Sequence, residues 1–138
     1  MAKKKKYEAK SFEGTITYIN ENGYRKTDTS ANIFHSMLVS KAFQSLTPKQ
    51  KIVYLCMKDL YYSVPQHKHP FNDNNYFYFN QHLWKDVYKI HTNGERLRAD
   101  IDALIEKGFI EEIENNKNLR QKNIYKYSDK WKTYDDDK

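Results

Sequence analysis

Hydrophobic and polar positions follow two different periods along the chain, and the first to appear is the period of a strand. In the segment 12–19 (FEGTITYI), β-branched and aromatic residues stand at alternate positions. The sequence Asn-Glu-Asn-Gly at 20–23 is a strong turn signal, and the short stretch after it can return as a second strand. The pattern therefore predicts a β-hairpin over 12–28.

The period of a helix begins after this hairpin. Apolar residues over 33–46 suit one or two short helical turns. Thr47 followed by Pro48 is a clear helix start, because threonine caps free N–H groups and proline fits the first helical position. The wide apolar stripe that follows predicts a helix over about 48–62. The prolines and histidines of 63–75 predict a loop.

The second half of the chain combines strand and helix signals at closer spacing. A short aromatic strand at 76–79 precedes a helix predicted over 80–88. The sequence Thr-Asn-Gly-Glu at 92–95 is a capping box, and the apolar residues after it predict a second helix over 92–107. Gly108 follows the last turn, where a left-handed residue is favoured, so the helix is expected to end there.

Two predicted strands with a basic loop between them complete the pattern, forming a hairpin, or wing, over 109–127. Two helices joined by a tight turn and followed by such a hairpin are the layout of a winged helix-turn-helix. We therefore predict an α+β fold, a winged helix-turn-helix domain over 12–131 with an N-terminal β-hairpin extension. A disordered basic arm at 1–11 and a flexible acidic tail at 132–138 are expected to flank it.

The net charge of the chain indicates which class of partner it binds. The formal net charge is +6 and the isoelectric point about 9.2, a balance that points to nucleic acid or to an anionic membrane surface. No apolar stretch approaches the ~18 residues of a membrane span, so we expect a cytoplasmic protein without a membrane partner. The loop of the predicted wing carries cations and neutral amides but no acid, which suits contact with phosphates.

Candidate DNA contacts follow from this layout. In helix-turn-helix docking, the first residues of the second helix reach the base edges. The candidates on that helix are Thr92, Asn93, Arg96 and Arg98. Those on the wing are Asn116, Lys117, Asn118, Arg120, Gln121 and Lys122. Weaker candidates on the arm are Lys3, Lys4, Lys5 and Lys6.

Base preferences can be suggested for two of these residues. Arg96 suits guanine, and Asn93 suits adenine or a phosphate. The acids of the same helix leave an alternative open, in which Arg96 and Arg98 form ordinary surface ion pairs with the aspartates at 100 and 102.

Four stretches resemble winged-helix proteins of plasmids, conjugative elements and phages of low-GC Gram-positive bacteria. They are FHSMLVSKAFQSLT (34–47), QKIVYL (50–55), LIEKGFIE (104–111) and NIYKYSDKW (123–131). Two groups of these proteins have similar sequences. They are accessory factors that bind at or near a transfer origin and the N-terminal domains of theta-type replication initiators. The resemblance implies DNA binding through the helix from 92 and the wing. Unlike the initiators, this chain stops soon after the wing.

The pattern and the resemblance together predict a non-catalytic protein of a mobile genetic element that binds double-stranded DNA without a cofactor. We expect it to recognise a transfer origin as a relaxosome accessory factor, or to regulate its own operon. It would act as a monomer or weak homodimer on DNA, with a relaxase or another element-encoded protein as a further partner. An origin-binding protein of the replication-initiator type and a winged-helix protein-interaction module are the alternatives.

The cysteine and the histidine pair could indicate catalysis, but their sequence surroundings favour other roles. Cys56, the single cysteine, lies among apolar residues and is expected in the core. The sequence His67-Lys68-His69 lacks the apolar centre and acidic partner of the metal-binding histidine pair in rolling-circle and relaxase nucleases. No zinc-ligand spacing is present, so we predict neither a metal site nor an enzyme.

Overall fold

The computed structural model describes the backbone of residues 6–7 and residues 12, 14–114 and 123–135. The chain divides into two compact units, Met1–Ala31 and Asn32–Lys138. Helices and two small sheets confirm the mixed α+β class predicted from the sequence. In the part of the chain described here, no helix combines the length and apolar character that a membrane crossing requires.

The first unit contains a three-stranded antiparallel sheet. Its strands, in sheet order, are β1 (Lys6–Tyr7), β2 (Thr17–Ile19) and β3 (Arg25–Thr27). The Asn20 side chain accepts two backbone N–H groups in the turn between β2 and β3, where the sequence predicts the hairpin. The predicted disorder of the arm is wrong for β1, which pairs with β2. Backbone hydrogen bonds alone can add so short a strand, and they leave no period in the sequence.

The second unit begins with helices. They are α1 (His35–Leu38), α2 (Lys41–Gln44) and α3 (Pro48–Ser63), followed by 3₁₀ turns at Gln66–Lys68 and Pro70–Asn72. The start of α3 confirms the predicted cap. The Thr47 hydroxyl accepts the N–H of Gln50 at 3.2 Å, and the Gln50 side chain accepts the N–H of Thr47 at 3.0 Å.

A second antiparallel sheet follows, with the strand order β4-β6-β5. The remaining elements are β4 (Tyr76–Tyr78), a π-helix (His82–Val87), α4 (Gly94–Glu106), β5 (Ile110–Glu114), β6 (Ile124–Tyr127) and a 3₁₀ turn (Lys130–Thr133). The helix predicted over 80–88 is thus a π-helix. Its register is widened because the N–H of Tyr88 bonds to the carbonyl of Leu83, five residues back, at 2.8 Å.

An aromatic core joins this sheet to the helices. The rings of Phe109 and Trp131 stack with centroids 6.0 Å apart, and Phe77 stacks on Tyr127 at 4.5 Å. Helix α4 contributes three buried apolar side chains, Leu97, Ile101 and Leu104. Because α4 buries this face against the core, its opposite face is left at the surface.

Candidate nucleic-acid interface

Helix α4 begins at an asparagine cap. The Asn93 side-chain oxygen accepts the N–H of Glu95 at 2.8 Å and that of Arg96 at 3.4 Å. The sequence places this cap on Thr92, one residue earlier, and that prediction is wrong. Asn93 has the extended backbone of a capping residue, and asparagine is among the best capping side chains, so the helix starts at Gly94.

The first two turns of α4 carry exposed side chains as well as the buried apolar face. Glu95 and Ala99 are exposed on the first two turns opposite the buried apolar face, and Arg96 is exposed on the flank of that face. The side chains of Glu95 and Arg96 have no ion-pair partner within the part of the chain that the structure describes. A small alanine between two charged residues lets a partner approach the helix closely.

An irregular turn leads into α4. The N–H of Ile90 bonds to the carbonyl of Trp84 at 2.8 Å, so the chain makes a wide loop after the π-helix. Lys89, the residue directly before Ile90, has φ = 53°, a left-handed conformation that is unfavourable for a residue with a side chain. The π-helix and this turn carry two exposed lysines, Lys85 and Lys89, on the approach to α4.

These elements enclose an open cleft of about 760 Å³ at the start of α4. Four cationic side chains line it, Lys49, Lys85, Lys89 and Arg96, together with His91, Thr92, Asn93 and a single carboxylate, that of Asp86. The start of α4 also carries the partial positive charge of the helix dipole, although the Asn93 side chain already accepts two of its first N–H groups. We call this site the basic cleft. Its charge and position suit phosphate groups.

Two contacts brace the wall of the basic cleft. The Lys49 ammonium donates to the carbonyl of Ile90 at 3.0 Å, which ties the start of α3 to the turn before α4. His91 Nε2 lies 2.6 Å from Asp100 Oδ2, and both side chains are only about one-tenth exposed, at 11% and 12%. The Asp100 carboxylate is therefore paired below the surface, where it adds little negative charge to the outer face of α4.

Arg98 is used inside the fold. Its guanidinium donates two hydrogen bonds to Glu112 on β5 and lies 2.9 Å from Asp102 one turn along α4. The hydrogen bond with Glu112 raises the pKa of Arg98 above its usual range, and the fork-to-fork geometry fixes the side chain. Contact with DNA would require Arg98 to exchange these partners. The pairing expected between Arg98 and the aspartate at 102 is present, whereas Asp100 pairs with His91 instead.

The sequence-predicted contacts fall into three groups. Thr92, Asn93 and Arg96 line the basic cleft together, and Arg98 lies outside it. The wing candidates Asn116, Lys117, Asn118, Arg120, Gln121 and Lys122 lie outside the described residues, as do Lys3, Lys4 and Lys5 of the arm. The backbone of Lys6 is part of β1.

Three lysines of the cleft were missed from the sequence: Lys49, Lys85 and Lys89. The sequence gives little signal for Lys85 and Lys89, because Lys89 lies beyond the helix predicted over 80–88 and its left-handed backbone leaves the helical period. Nothing in the sequence joins Lys49 to them, since it comes from the start of α3 and meets them only through tertiary packing.

Neither a metal cluster nor an activated thiol is found in the described part of the chain. No group of three His, Cys, Asp or Glu side chains there could hold a metal ion. His69 is buried, and its ring nitrogens lie 2.8 and 3.0 Å from the carbonyl oxygens of Tyr76 and Val64. Burial, with a contribution from Asp59, raises the pKa of the Cys56 thiol to about 11, which keeps it protonated at neutral pH.

Comparison of the chain with protein-family models, curated proteins and solved structures finds no match. The resemblance to winged-helix proteins of mobile elements therefore stays a prediction, and function has to be argued from the basic cleft and its surroundings.

Proposed function

We propose that this chain is a non-catalytic protein that binds double-stranded DNA, with α4 in the major groove and the basic cleft against the phosphate backbone. The observation that carries the proposal is the convergence of Lys49, Lys85, Lys89 and Arg96 at the start of α4. Proteins that bind duplex DNA use such cations to neutralise phosphates and release counterions. Phosphate contacts of this kind fix the position of the helix that faces the bases.

The order of the elements supports the same function. Helix α3, the π-helix and α4 are followed directly by the antiparallel pair β5 and β6. In a winged helix-turn-helix the last helix enters the major groove, and the hairpin after it contacts the backbone alongside. We assign α4 the first role. The second goes to the loop between β5 and β6, whose sequence carries Lys117, Arg120 and Lys122.

The alternative of a protein-interaction module keeps part of its support. That alternative is based on the acidic residues of the helix over 92–107. Asp100 is paired below the surface with His91, and Asp102 shares Arg98 with Glu112 of β5. Glu95, Asp102 and Glu106 are nevertheless exposed, and the single positive charge of Arg98 cannot neutralise both Asp102 and Glu112, so an interaction module stays the alternative.

The biological role proposed for this activity rests on the sequence resemblance. We propose recognition of a transfer origin as a relaxosome accessory factor, or regulation of the operon, with a relaxase as a further partner. Origin binding of the replication-initiator type uses the same chemistry. A selected binding site with the repeat array of a replication origin would favour it over the transfer-origin role.

The salt dependence of binding to random-sequence duplex tests the proposed surface. In the double variant Lys85→Gln/Lys89→Gln, we expect weaker binding to all sequences and a shallower slope of log K against log salt, by about two. Each lysine would contribute roughly one released counterion. Fluorescence anisotropy over a salt titration measures both quantities, and Lys117→Gln/Arg120→Gln/Lys122→Gln tests the wing in the same way.

The matched control is Lys68→Gln/Lys132→Gln, which removes the same charge at two exposed lysines that do not line the basic cleft. It should keep a slope near that of the wild type. Equal slopes in the cleft variant and the wild type would remove the cleft from the interface. If the wild-type protein fails to bind any duplex at low salt, the chain is not a DNA-binding protein.

A further inference from the structure

The exposed face of α4 carries a pair of opposite charges that the phosphate contacts do not explain. Glu95 and Arg96 are adjacent in the chain and exposed, and Ala99 lies between them on the helix surface, by the 100° turn per residue. A carboxylate beside phosphates weakens binding to every sequence. Its presence on the face that would meet the bases therefore calls for a compensating role.

Asn93 is a poor candidate for base recognition. To recognise adenine, an asparagine must accept a hydrogen bond from N6 and donate one to N7. The Asn93 side-chain oxygen already accepts the N–H groups of Glu95 and Arg96, so only its amide nitrogen is available. The adenine contact suggested by the sequence is thus replaced by a capping role, with at most a phosphate contact through the amide nitrogen.

Arg98 is also a poor candidate for base recognition, because its guanidinium is already bound to carboxylates. It donates to both carboxylate oxygens of Glu112 and also lies against Asp102, which occupies the fork of its guanidinium. Of the charged residues on the first two turns of α4, Glu95 and Arg96 are the ones whose side chains keep their hydrogen-bonding groups at the surface.

We infer that Glu95 and Arg96 act together as the specificity-determining residues of α4, selecting cytosine and guanine on neighbouring base edges. The inference rests on the proposed DNA-binding function. Arg96 presents two parallel donors to guanine O6 and N7, and Glu95 accepts the amino group of cytosine N4. Ala99 leaves room for the helix to approach the groove floor.

This assignment predicts that the two substitutions change affinity in opposite directions and that each removes one base preference. In Glu95→Ala, removal of the negative charge strengthens binding to unselected duplex severalfold, and the preference for cytosine at one position is lost. In Arg96→Ala, binding weakens, and the preference for guanine is lost. Replacing the recognised base in a selected site costs the wild-type protein about 5- to 150-fold in affinity.

Selection from a pool of duplexes with a randomised central segment tests the inference, using the wild-type chain, Glu95→Ala and Arg96→Ala. Glu95→Gln is the conservative companion, since it keeps the length of the side chain and should move the preference at the cytosine position towards adenine. Circular dichroism confirms that each variant keeps its helix content. Anisotropy titrations with unselected duplex give the affinity without sequence preference.

The outcomes separate the two proposals. If Glu95→Ala strengthens binding to all duplexes but leaves the selected sequence unchanged, Glu95 only complements the helix dipole, and the inference fails. Failure of the wild-type chain to enrich any sequence, while it still binds duplex, also overturns the inference and leaves the proposed function standing. Absence of binding to every duplex overturns both.

Discussion

At the residue scale, the fold depends on a few positions where a side chain, or its absence, is dictated by its neighbours. His69 is one example. It is buried between two carbonyl oxygens, those of Tyr76 and Val64, and it thereby joins the end of α3 to the start of β4. Its place in the sequence His67-Lys68-His69 resembles a metal ligand, but its contacts are those of a structural residue.

Gly108 is the clearest case in which a residue has no substitute. Its φ is +87°, and a Cβ atom would lie 2.6 Å from backbone atoms of Lys130 and Trp131. In Gly108→Ala, left-handed strain and this clash with backbone add, so we expect a loss of roughly 2–5 kcal/mol in the free energy of unfolding. Urea denaturation followed by circular dichroism measures it.

Gly94→Ala is the matched control for this substitution. Gly94 has no positive φ, and the nearest atom to an added Cβ is in the Trp84 ring, 4.0 Å away. It is also the first residue of α4, where alanine is the better helix former. Its stability should stay the same or rise by up to ~1 kcal/mol. Equal losses in the two variants would contradict the role assigned to Gly108.

Residue roles could be predicted from the sequence where a local rule decides them. The cap at Thr47 and the left-handed Gly108 both follow from the residues next to them, and both are confirmed. Asn93 and Arg98 show the limit. Two capping residues in a row, Thr92 and Asn93, leave the start of α4 ambiguous by one position, and the partner of Arg98 on β5 is distant in sequence.

At the element scale, the π-helix and the turn after it decide the geometry of the basic cleft. The apolar spacing predicts a helix there, but it cannot distinguish an α-helical from a π-helical register, because the difference is one residue per turn. The wider register, followed by a left-handed Lys89, brings Lys85 and Lys89 to the start of α4. Strained backbone of this kind often persists where function needs the side chain.

The conformation of Lys89 gives a prediction with opposite signs for stability and binding. Lys89→Gly relieves left-handed strain of about 1–2 kcal/mol, partly offset by the roughly 0.5–1 kcal/mol of extra unfolded-state entropy of glycine. We expect stability to stay the same or rise by up to ~1.5 kcal/mol, while the salt slope of duplex binding falls by about one. Urea denaturation and anisotropy titration measure the two effects.

Lys85→Gln serves as the comparison, since it removes a cation of the same cleft without a left-handed backbone. It should reduce the salt slope similarly and leave stability within about 0.5 kcal/mol of the wild type. If Lys89→Gly were clearly less stable than Lys85→Gln, the lysine side chain would be holding the turn in place, and strain would not explain its conformation.

At the scale of the whole molecule, the α+β class follows from the alternation of strand and helix periods, but the assembled site does not. The basic cleft joins residues from α3, the π-helix and α4, and the side-chain contacts of Arg98 and His91 decide which acids remain at the surface. The sequence pattern gives the charged residues of a single helix or strand. Only tertiary packing tells which of those charges are already paired.

The aromatic core also sets how the second unit responds to alkaline conditions. Burial is the main cause that raises the pKa of Tyr54 to about 12 and the pKa values of Tyr88, Tyr125 and Tyr127 above their usual range. The hydrogen bond that Tyr88 donates to Asp59, at 2.7 Å, acts in the same direction. The raised pKa of the Cys56 thiol acts in the same direction, whereas burial of Lys58 lowers its pKa and opposes the effect, one group against five.

Stability should therefore fall at high pH. The folded state holds these phenol protons more tightly than the unfolded chain, so the unfolded chain is favoured once the pH exceeds about 10, the ordinary pKa of tyrosine. We expect the urea midpoint to drop steadily as the pH rises from about 10 towards about 12, with the buried tyrosines still protonated in the folded protein. The part of the phenolate absorbance that comes from these four of the twelve tyrosines should appear together with unfolding.

Tyr127→Phe isolates one contribution to this pH dependence. The Tyr127 hydroxyl donates to the carbonyl of Met57 at 2.5 Å, so its removal should cost about 1 kcal/mol at neutral pH. The same variant has one fewer phenol to ionise on unfolding, and its urea midpoint should fall less steeply above about pH 10. A wild-type midpoint that stays constant to about pH 11, or a variant with an unchanged slope, would mean that these phenols are not held in the protonated form by the aromatic core.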